Sequence, residues 1–115
     1  MKKINIIKEN EEYNRIIKNN KPFKYKEYLI FLEKKDEDIR KFGFSVSKHL
    51  CKAVYRNRIK RQLKDIIDKK DYKNNFNCII MVNRSILEKS YQEMEKDLFY
   101  CFNKLGIIKG ESNEK

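Results

Sequence analysis

The sequence predicts an α+β fold, a small sandwich in which helices cover a central sheet. Segments with alternating or continuous apolar residues, which are typical of strands, lie between segments whose apolar residues recur at helical spacing. Their order is helix, strand, strand, helix, strand, helix. A chain of 115 residues, 40% of them hydrophobic, can bury one core. We therefore expect a single α+β domain over residues 1–108 and a disordered polar tail over residues 109–115.

The first half of the chain predicts one helix and two strands. Apolar side chains recur at helical spacing over residues 10–19, and Pro22 follows this helix as a breaker. The aromatic and β-branched segment 25–33 predicts a strand that is apolar on both faces. Residues 34–38 are charged, which indicates a hairpin loop that leads into a second strand at residues 40–47.

The second strand alternates strictly between two kinds of side chain. Its bulky residues point to one face, and its small residues point to the other. The bulky residues are Phe42, Phe44 and Val46, and the small ones are Gly43, Ser45 and Ser47. The small face either leaves a groove beside the aromatic strand or accommodates a packed helix, and the sequence leaves both possibilities open.

The second half predicts a basic helix, a buried strand and a last helix. After a turn at residues 48–52, one arc of a helix over residues 53–69 is apolar and is expected to face the core. This arc consists of Tyr55, Ile59, Leu63, Ile66 and Ile67. A polar break at residues 71–75 precedes a buried strand at 76–83 and a connection in which Ile86 and Leu87 pack. Ser90 then caps the last helix, which stops at Gly106.

Positive charge is concentrated in one stretch of the chain. The net charge is +11, from 28 basic and 17 acidic residues. Residues 39–64 contain nine of the basic residues and no acidic residue, so the rest of the chain is nearly neutral. Such a local field attracts a polyanion, because each neutralised phosphate releases condensed counterions. Arg56, Lys60 and Lys64 follow one line of the helix, where unpaired like charges repel one another.

The sequence argues against several other kinds of site. Cys51, Cys78 and Cys101 are widely spaced and His49 is the single histidine, which argues against a zinc site or a disulfide framework and for a reducing cytosol. There is no apolar run of the length of a signal peptide core or a membrane span. We expect a cytoplasmic protein with no membrane partner, no metal site and no catalytic residue of its own. Metal-free RNA cleavage by His49 is a weaker alternative.

A basic helix beside an aromatic-lined groove indicates binding to structured RNA that is joined to a single strand. Arginine suits bidentate phosphate contacts, and Asn57 can contact a base edge or a sugar hydroxyl. Tyr13 and Phe31 would supply stacking faces for unpaired bases. Recognition of DNA would require a helix-turn-helix partner before the basic helix. The sequence predicts a strand there, so we expect no DNA partner.

Two spaced motifs give the chain a resemblance to a known family. Phe-Ser-Val-Ser-Lys at residues 44–48 and Ala-Val-Tyr-Arg-Asn-Arg-Ile-Lys-Arg at residues 53–61 are similar to the motifs of the bacterial ribonuclease P protein subunit. The resemblance covers about residues 8–105. It implies a protein partner of a catalytic RNA that, with hydrated Mg²⁺ bound mainly by the RNA, removes the 5′ leader of precursor tRNA. It also implies a left-handed β-α-β crossover, an exception to the usual hand.

Charge and resemblance together assign the site residues. The residues expected to bind RNA are Lys48, Lys52, Arg56, Asn57, Arg58, Lys60, Arg61 and Lys64. The resemblance places the leader in a cleft between the first helix and the sheet, lined by Tyr13, Ile17, Leu29, Phe31 and Ser45. The chain departs from the family at Cys51-Lys52, where Gly-Asn is common, and at Ile17, near which an aromatic is usual. The alternative is a ribosomal or general structured-RNA-binding protein without a processing role.

Overall fold

The computed structural model describes residues 1–8, 10–46 and 52–110. The helices and strands of these residues are α1 (Asn10–Asn19), β1 (Phe23–Tyr25), β2 (Tyr28–Lys34), β3 (Arg40–Val46), α2 (Ala53–Ile67), β4 (Phe76–Val82) and α3 (Tyr91–Leu105). The predicted α+β class is confirmed. Within the described ranges, no helix combines the length and the apolar composition needed to cross a bilayer. Predictions for Ser47, for residues 48–51 and for residues 111–115 lie outside the described residues.

The strands form one mixed sheet in the order β1-β2-β4-β3. β4 is antiparallel to β2 and parallel to β3, so it separates these two strands. The predicted hairpin between β2 and β3 is therefore wrong. β4 is buried along almost its whole length, and a strand that is apolar on both faces belongs in the middle of a sheet rather than at its edge.

β1 is not predicted as a separate strand, because the predicted strand over residues 25–33 includes only its last residue, Tyr25. It pairs antiparallel with β2 through a tight turn at Lys26 and Glu27. Lys26 has a φ of 51°, in the left-handed region that Gly, Asn and Asp usually occupy in such turns. Because none of these residue types is present, the turn has no signal in the sequence.

β3, α2 and β4 form a β-α-β unit in which the two strands are parallel neighbours. This is the connectivity that the family resemblance implies. The left-handed sense of the crossover stays a prediction.

Helices cover both faces of the sheet. α2 and α3 pack on one face, where Ile59 and Leu63 of α2 and Leu98 of α3 belong to the main core cluster. α1 packs on the other face, where Ile16 contacts a second cluster that includes Ile79 of β4. The connection after β4 buries Ile86 and packs Leu87 as predicted.

The two ends of α3 are formed as the sequence predicts. The Ser90 side chain accepts a hydrogen bond from the backbone N–H of Glu93, and the Glu93 side chain accepts one from the backbone N–H of Ser90. Gly106 ends the helix with a φ of 72°.

One residue of the predicted apolar arc in α2 is not in the core. Tyr55 is 42% exposed, whereas Ile59 and the later members of the arc are buried. Burial begins only one turn into the helix, so the first turn of α2 lies outside the core. The Tyr55 ring contacts the Arg58 guanidinium, whose carbon is 5.4 Å from the ring centroid.

α1 approaches the sheet closely at Gly43 of β3. A methyl group on Gly43 would lie 2.8 Å from Cε2 and 2.9 Å from Oη of Tyr13. Unstrained carbon contacts are about 3.5–4.0 Å. Gly43 therefore allows the Tyr13 ring to lie directly against the backbone of β3.

We expect Gly43→Ala to lower the free energy of unfolding by about 1–3 kcal/mol, the usual cost of overpacking. The added methyl group must displace the Tyr13 ring, and urea denaturation measures the loss. Ser45→Ala, on the same strand and face, is the control and should change stability by less than about 0.5 kcal/mol. In a Tyr13→Ala background the Gly43→Ala cost should shrink. An equal cost in both backgrounds would contradict the proposed contact.

Candidate RNA interface

The basic residues of α2 project away from its buried stripe. Ile59, Leu63, Ile66 and Ile67 attach the helix to the core. The predicted RNA-binding residues at exposed positions are Lys52, Asn57, Arg58 and Arg61, and those at half-buried positions are Arg56, Lys60 and Lys64. The structure thus brings seven of the eight predicted residues onto one helix and the residue before it. Lys48 lies outside the described residues.

Three basic residues of this surface have no acidic partner among the described residues. The first acidic residue of α2 is Asp65, and its carboxylate accepts a hydrogen bond from the Tyr91 hydroxyl at 2.5 Å. Among the described residues, Arg58, Lys60 and Arg61 form no ion pair. The surface therefore presents positive charge to solvent, which favours contact with phosphates.

The start of α2 adds to this positive potential. Lys52 occupies the N-cap position, and its side chain does not cap the helix. The first turn contains no acidic residue. The free backbone N–H groups of a helix N-terminus carry partial positive charge, here next to basic side chains of like sign.

The five predicted cleft residues lie on one face of the sheet, the face that α1 covers. Tyr13 and Ile17 come from α1, and both pack, as does Leu29 of β2, against the cluster that contains Phe31. Strand register adds Ser45, because Leu29 pairs with Met81 of β4 and Met81 pairs with Ser45 of β3. Leu29, Met81 and Ser45 form one row across the sheet, which we call the open row.

The open row borders a cavity of about 320 Å³. Its lining also includes the exposed Lys24, Lys26 and Asn83 and the buried Glu27, which forms an ion pair with Lys89. Leu29, Met81 and Ser45 are each half-buried, so the row is reached from solvent. An apolar floor with lysines at the rim can contact bases and phosphates of a single strand at the same time.

The next row of the sheet is closed. It consists of Phe31, Ile79 and Gly43 in register, and the Tyr13 ring lies against Gly43. The sequence left two interpretations of the small face open, and each holds at a different residue. Gly43 accommodates the packed helix, whereas Ser45 lines the groove.

Phe31 and Tyr13 differ as stacking surfaces. Phe31 is 5% exposed, so its ring has no free face for an unpaired base, and the stacking role expected from the sequence is not supported. Tyr13 is half-buried, and its buried hydroxyl has no hydrogen-bond partner among the described residues. Burial raises the pKa of Tyr13 far above its ordinary value, so the side chain is neutral.

A polar network closes the far end of the α1 face. Arg15 of α1 forms an ion pair with Glu33 of β2. The buried Asn77 amide donates hydrogen bonds to Glu33 at 3.0 Å and to Glu12 at 3.4 Å. Arg15 and these two carboxylates together carry no excess of positive charge.

Met81 is a groove residue that the sequence analysis did not name. The signal exists, because every second residue of β4 faces α1, but it depends on knowing that β4 lies between β2 and β3.

Within the described part of the chain, no three His, Cys, Asp or Glu residues are grouped so that they could hold a metal ion. His49 lies outside that part.

Comparisons with known proteins find relatives over nearly the whole chain. A family model described as Ribonuclease P matches residues 1–106. The ribonuclease P protein component of Bacillus cereus (strain AH187) is 33% identical over 116 residues, which cover 93% of this chain and 96% of the relative. That of Geobacillus sp. (strain WCH70) is 32% identical over 118 residues, with coverages of 95% and 97%.

Solved structures show the same fold. The RNase P protein of Staphylococcus aureus superposes with a TM-score of 0.80 at 22% identity, covering 90% of this chain and 96% of that one. The RNase P protein from Thermotoga maritima superposes with a TM-score of 0.73 at 16% identity, covering 82% and 91%.

We expect Phe31→Ala to lower the free energy of unfolding by about 3 kcal/mol, because it leaves a cavity beneath α1. Affinity for a single-stranded RNA oligonucleotide, corrected for the folded fraction, should not change. Leu29→Ala, one row away on the same strand, should weaken that affinity with a smaller loss of stability. Urea denaturation and fluorescence anisotropy give the two quantities. Loss of affinity in folded Phe31→Ala would show that the ring does contact a base.

Proposed function

The chain belongs to the ribonuclease P protein family, and from this premise we propose that α2 binds the catalytic RNA while the open row binds the 5′ leader of precursor tRNA. Membership makes the chain a protein subunit of a tRNA-processing endoribonuclease. The observation that carries the proposal is the outward basic face of α2, which no acidic residue interrupts before Asp65.

We assign phosphodiester hydrolysis, with hydrated Mg²⁺, to the RNA subunit. The share of the protein is electrostatic, because precursor tRNA and catalytic RNA repel each other through their phosphates. Arg58, Arg61 and Lys60 neutralise phosphates of the catalytic RNA, and each neutralised phosphate releases counterions. The holoenzyme should therefore need less Mg²⁺ than the RNA alone.

β3 connects the two proposed surfaces. Ser45 lies on the α1 face of this strand, and α2 is the next helix along the chain. RNA bound along α2 and a leader lying across the open row would therefore meet near the end of β3. This arrangement supports simultaneous contact with both RNAs.

The central test is cleavage of a 5′-labelled precursor tRNA at low Mg²⁺. We expect cleavage at the mature 5′ end when protein and catalytic RNA are combined, and little cleavage with either one alone. If the Mg²⁺ requirement is the same with and without the protein, the proposed electrostatic role is contradicted. Cleavage by the protein alone, lost in His49→Ala, would instead indicate a self-sufficient nuclease. No gain from mixing would favour a general RNA-binding protein without a processing role.

We expect Arg61→Gln to weaken binding to the catalytic RNA and to reduce the salt slope by about one phosphate contact. The Arg61 side chain is exposed, so the variant should keep its stability. A filter-binding series over salt concentration measures the slope. Lys34→Gln removes an exposed charge outside both proposed surfaces and is the matched control. Equal slopes for the two variants would mean that Arg61 contributes only to the general charge.

A further inference from the structure

Two stacked tyrosines lie where β1 meets α3, outside both surfaces described above. The ring centroids of Tyr25 and Tyr100 are 4.4 Å apart, and the ring planes differ by 32°. The Lys26 ammonium is 5.3 Å from the Tyr25 centroid, and the Lys104 ammonium is 5.5 Å from the Tyr100 centroid. We call these four residues the tyrosine patch.

The patch is accessible. Tyr100 is 42% exposed, although large aromatic side chains are usually buried. Lys96, Tyr100 and Lys104 follow one line of α3 at a spacing of four residues, so the tyrosine has a lysine one turn away on either side. An aromatic face between two cations matches the chemistry of an unpaired nucleotide, whose base stacks and whose phosphates attract lysine.

The charge around the patch is mainly positive. Lys26 is partly neutralised by the buried Asp97, whose carboxylate is 3.2 Å from its ammonium. Lys24, Lys96 and Lys104 form no ion pair with any residue that the structure describes. A polyanion is therefore the complementary partner, and an acidic peptide would leave the aromatic face unused.

The open row ends at the strand that carries the patch. Lys24 of β1 pairs with Leu29, so it extends the row Ser45-Met81-Leu29 to the edge of the sheet. Neighbouring strands lie about 4.8 Å apart, so the extended row is about 14 Å long. Tyr25 directly follows Lys24, so its side chain faces the opposite side of the sheet, where it lies against Tyr100 of α3. Lys26 links the two sides, because it lines the cavity of the open row and its ammonium lies over the Tyr25 ring. A strand that crosses the open row from β3 to β1 therefore reaches the patch by turning around the β1 edge past Lys26.

We propose that the part of the leader farthest from the cleavage site crosses the β1 edge and stacks on the tyrosine patch. This inference rests on the proposed function, because it requires the leader to occupy the open row. It predicts that the protein contacts a longer leader than the open row alone can hold.

The test measures the affinity of the complete holoenzyme for precursor tRNAs whose leaders are shortened one nucleotide at a time. Wild-type affinity should fall once when the leader no longer reaches the patch and again when it leaves the open row. In the Tyr100→Leu, Lys104→Gln double variant, the first of these two falls in affinity should disappear. The loss with long leaders should be about fivefold or more, the lower end for a base stacked on an aromatic ring. Short leaders should bind equally well to both proteins.

Three controls separate this outcome from others. Tyr100→Leu alone keeps apolar contact with Tyr25 but removes the stacking face, so a purely structural role predicts no change. Lys3→Gln removes an exposed lysine beside the opposite edge strand, β3, and should keep both steps. A photoreactive uridine placed at the 5′ end of a long leader should cross-link to α3 in the wild type only.

Two results would contradict the inference. One is a double variant that still loses affinity when the leader becomes too short to reach the patch. The other is a wild-type protein whose affinity falls only when the leader leaves the open row. Either result leaves the proposed function intact, because short leaders still bind with the help of the protein. The proposed function itself fails if affinity is independent of leader length throughout.

Discussion

β4 must be buried on both faces, and the layout of the molecule follows from this constraint. Its even-numbered residues, such as Cys78 and Ile80, contact the core beneath α2 and α3. Ile79 faces the opposite way, into the cluster beneath α1. A strand of this kind is stable only between two other strands and beneath helices on both sides. The basic helix and the groove therefore lie on opposite faces of a single sheet, and β3 leads from one to the other.

The groove exists because α1 is shorter than the strands that it covers. A helix of ten residues is about 15 Å long, whereas strands of seven residues extend about 23 Å. α1 therefore cannot cover the whole face even when it runs along the strands. The contact between Tyr13 and Gly43 fixes which row it covers. The row that contains Ser45 is left open, and the small serine side chain does not fill the groove.

The sequence predicts features that depend on neighbouring residues and misses those that depend on distant ones. The caps of α3 are local and are confirmed. The alternation of β3 is local too, and within the described residues Phe42 and Val46 face the main core while Gly43 faces Tyr13 of α1. The position of β4 between β2 and β3 depends on distant residues. The charged loop at residues 34–38 is compatible with a hairpin and also with a connection between strands that are not neighbours. Phe31 illustrates the same limit in the site. Its aromatic ring suits base stacking as well as it suits packing in the core, and only the position of α1 shows that the ring is buried.

The two ends of the α1 face differ in charge. At one end of the α1 face, the carboxylates of Glu33 and Glu12 are held beside Arg15 and Asn77, so that end carries no excess of positive charge. At the other end, Lys24 lies beside the open row without an acidic partner among the described residues. The buried Glu27 lines the same cavity, and its carboxylate lies 3.8 Å from the Lys89 ammonium. This distribution of charge supports the proposed position of the leader over the open row. In this proposal, the sheet that buries the core also determines the line along which the leader crosses it.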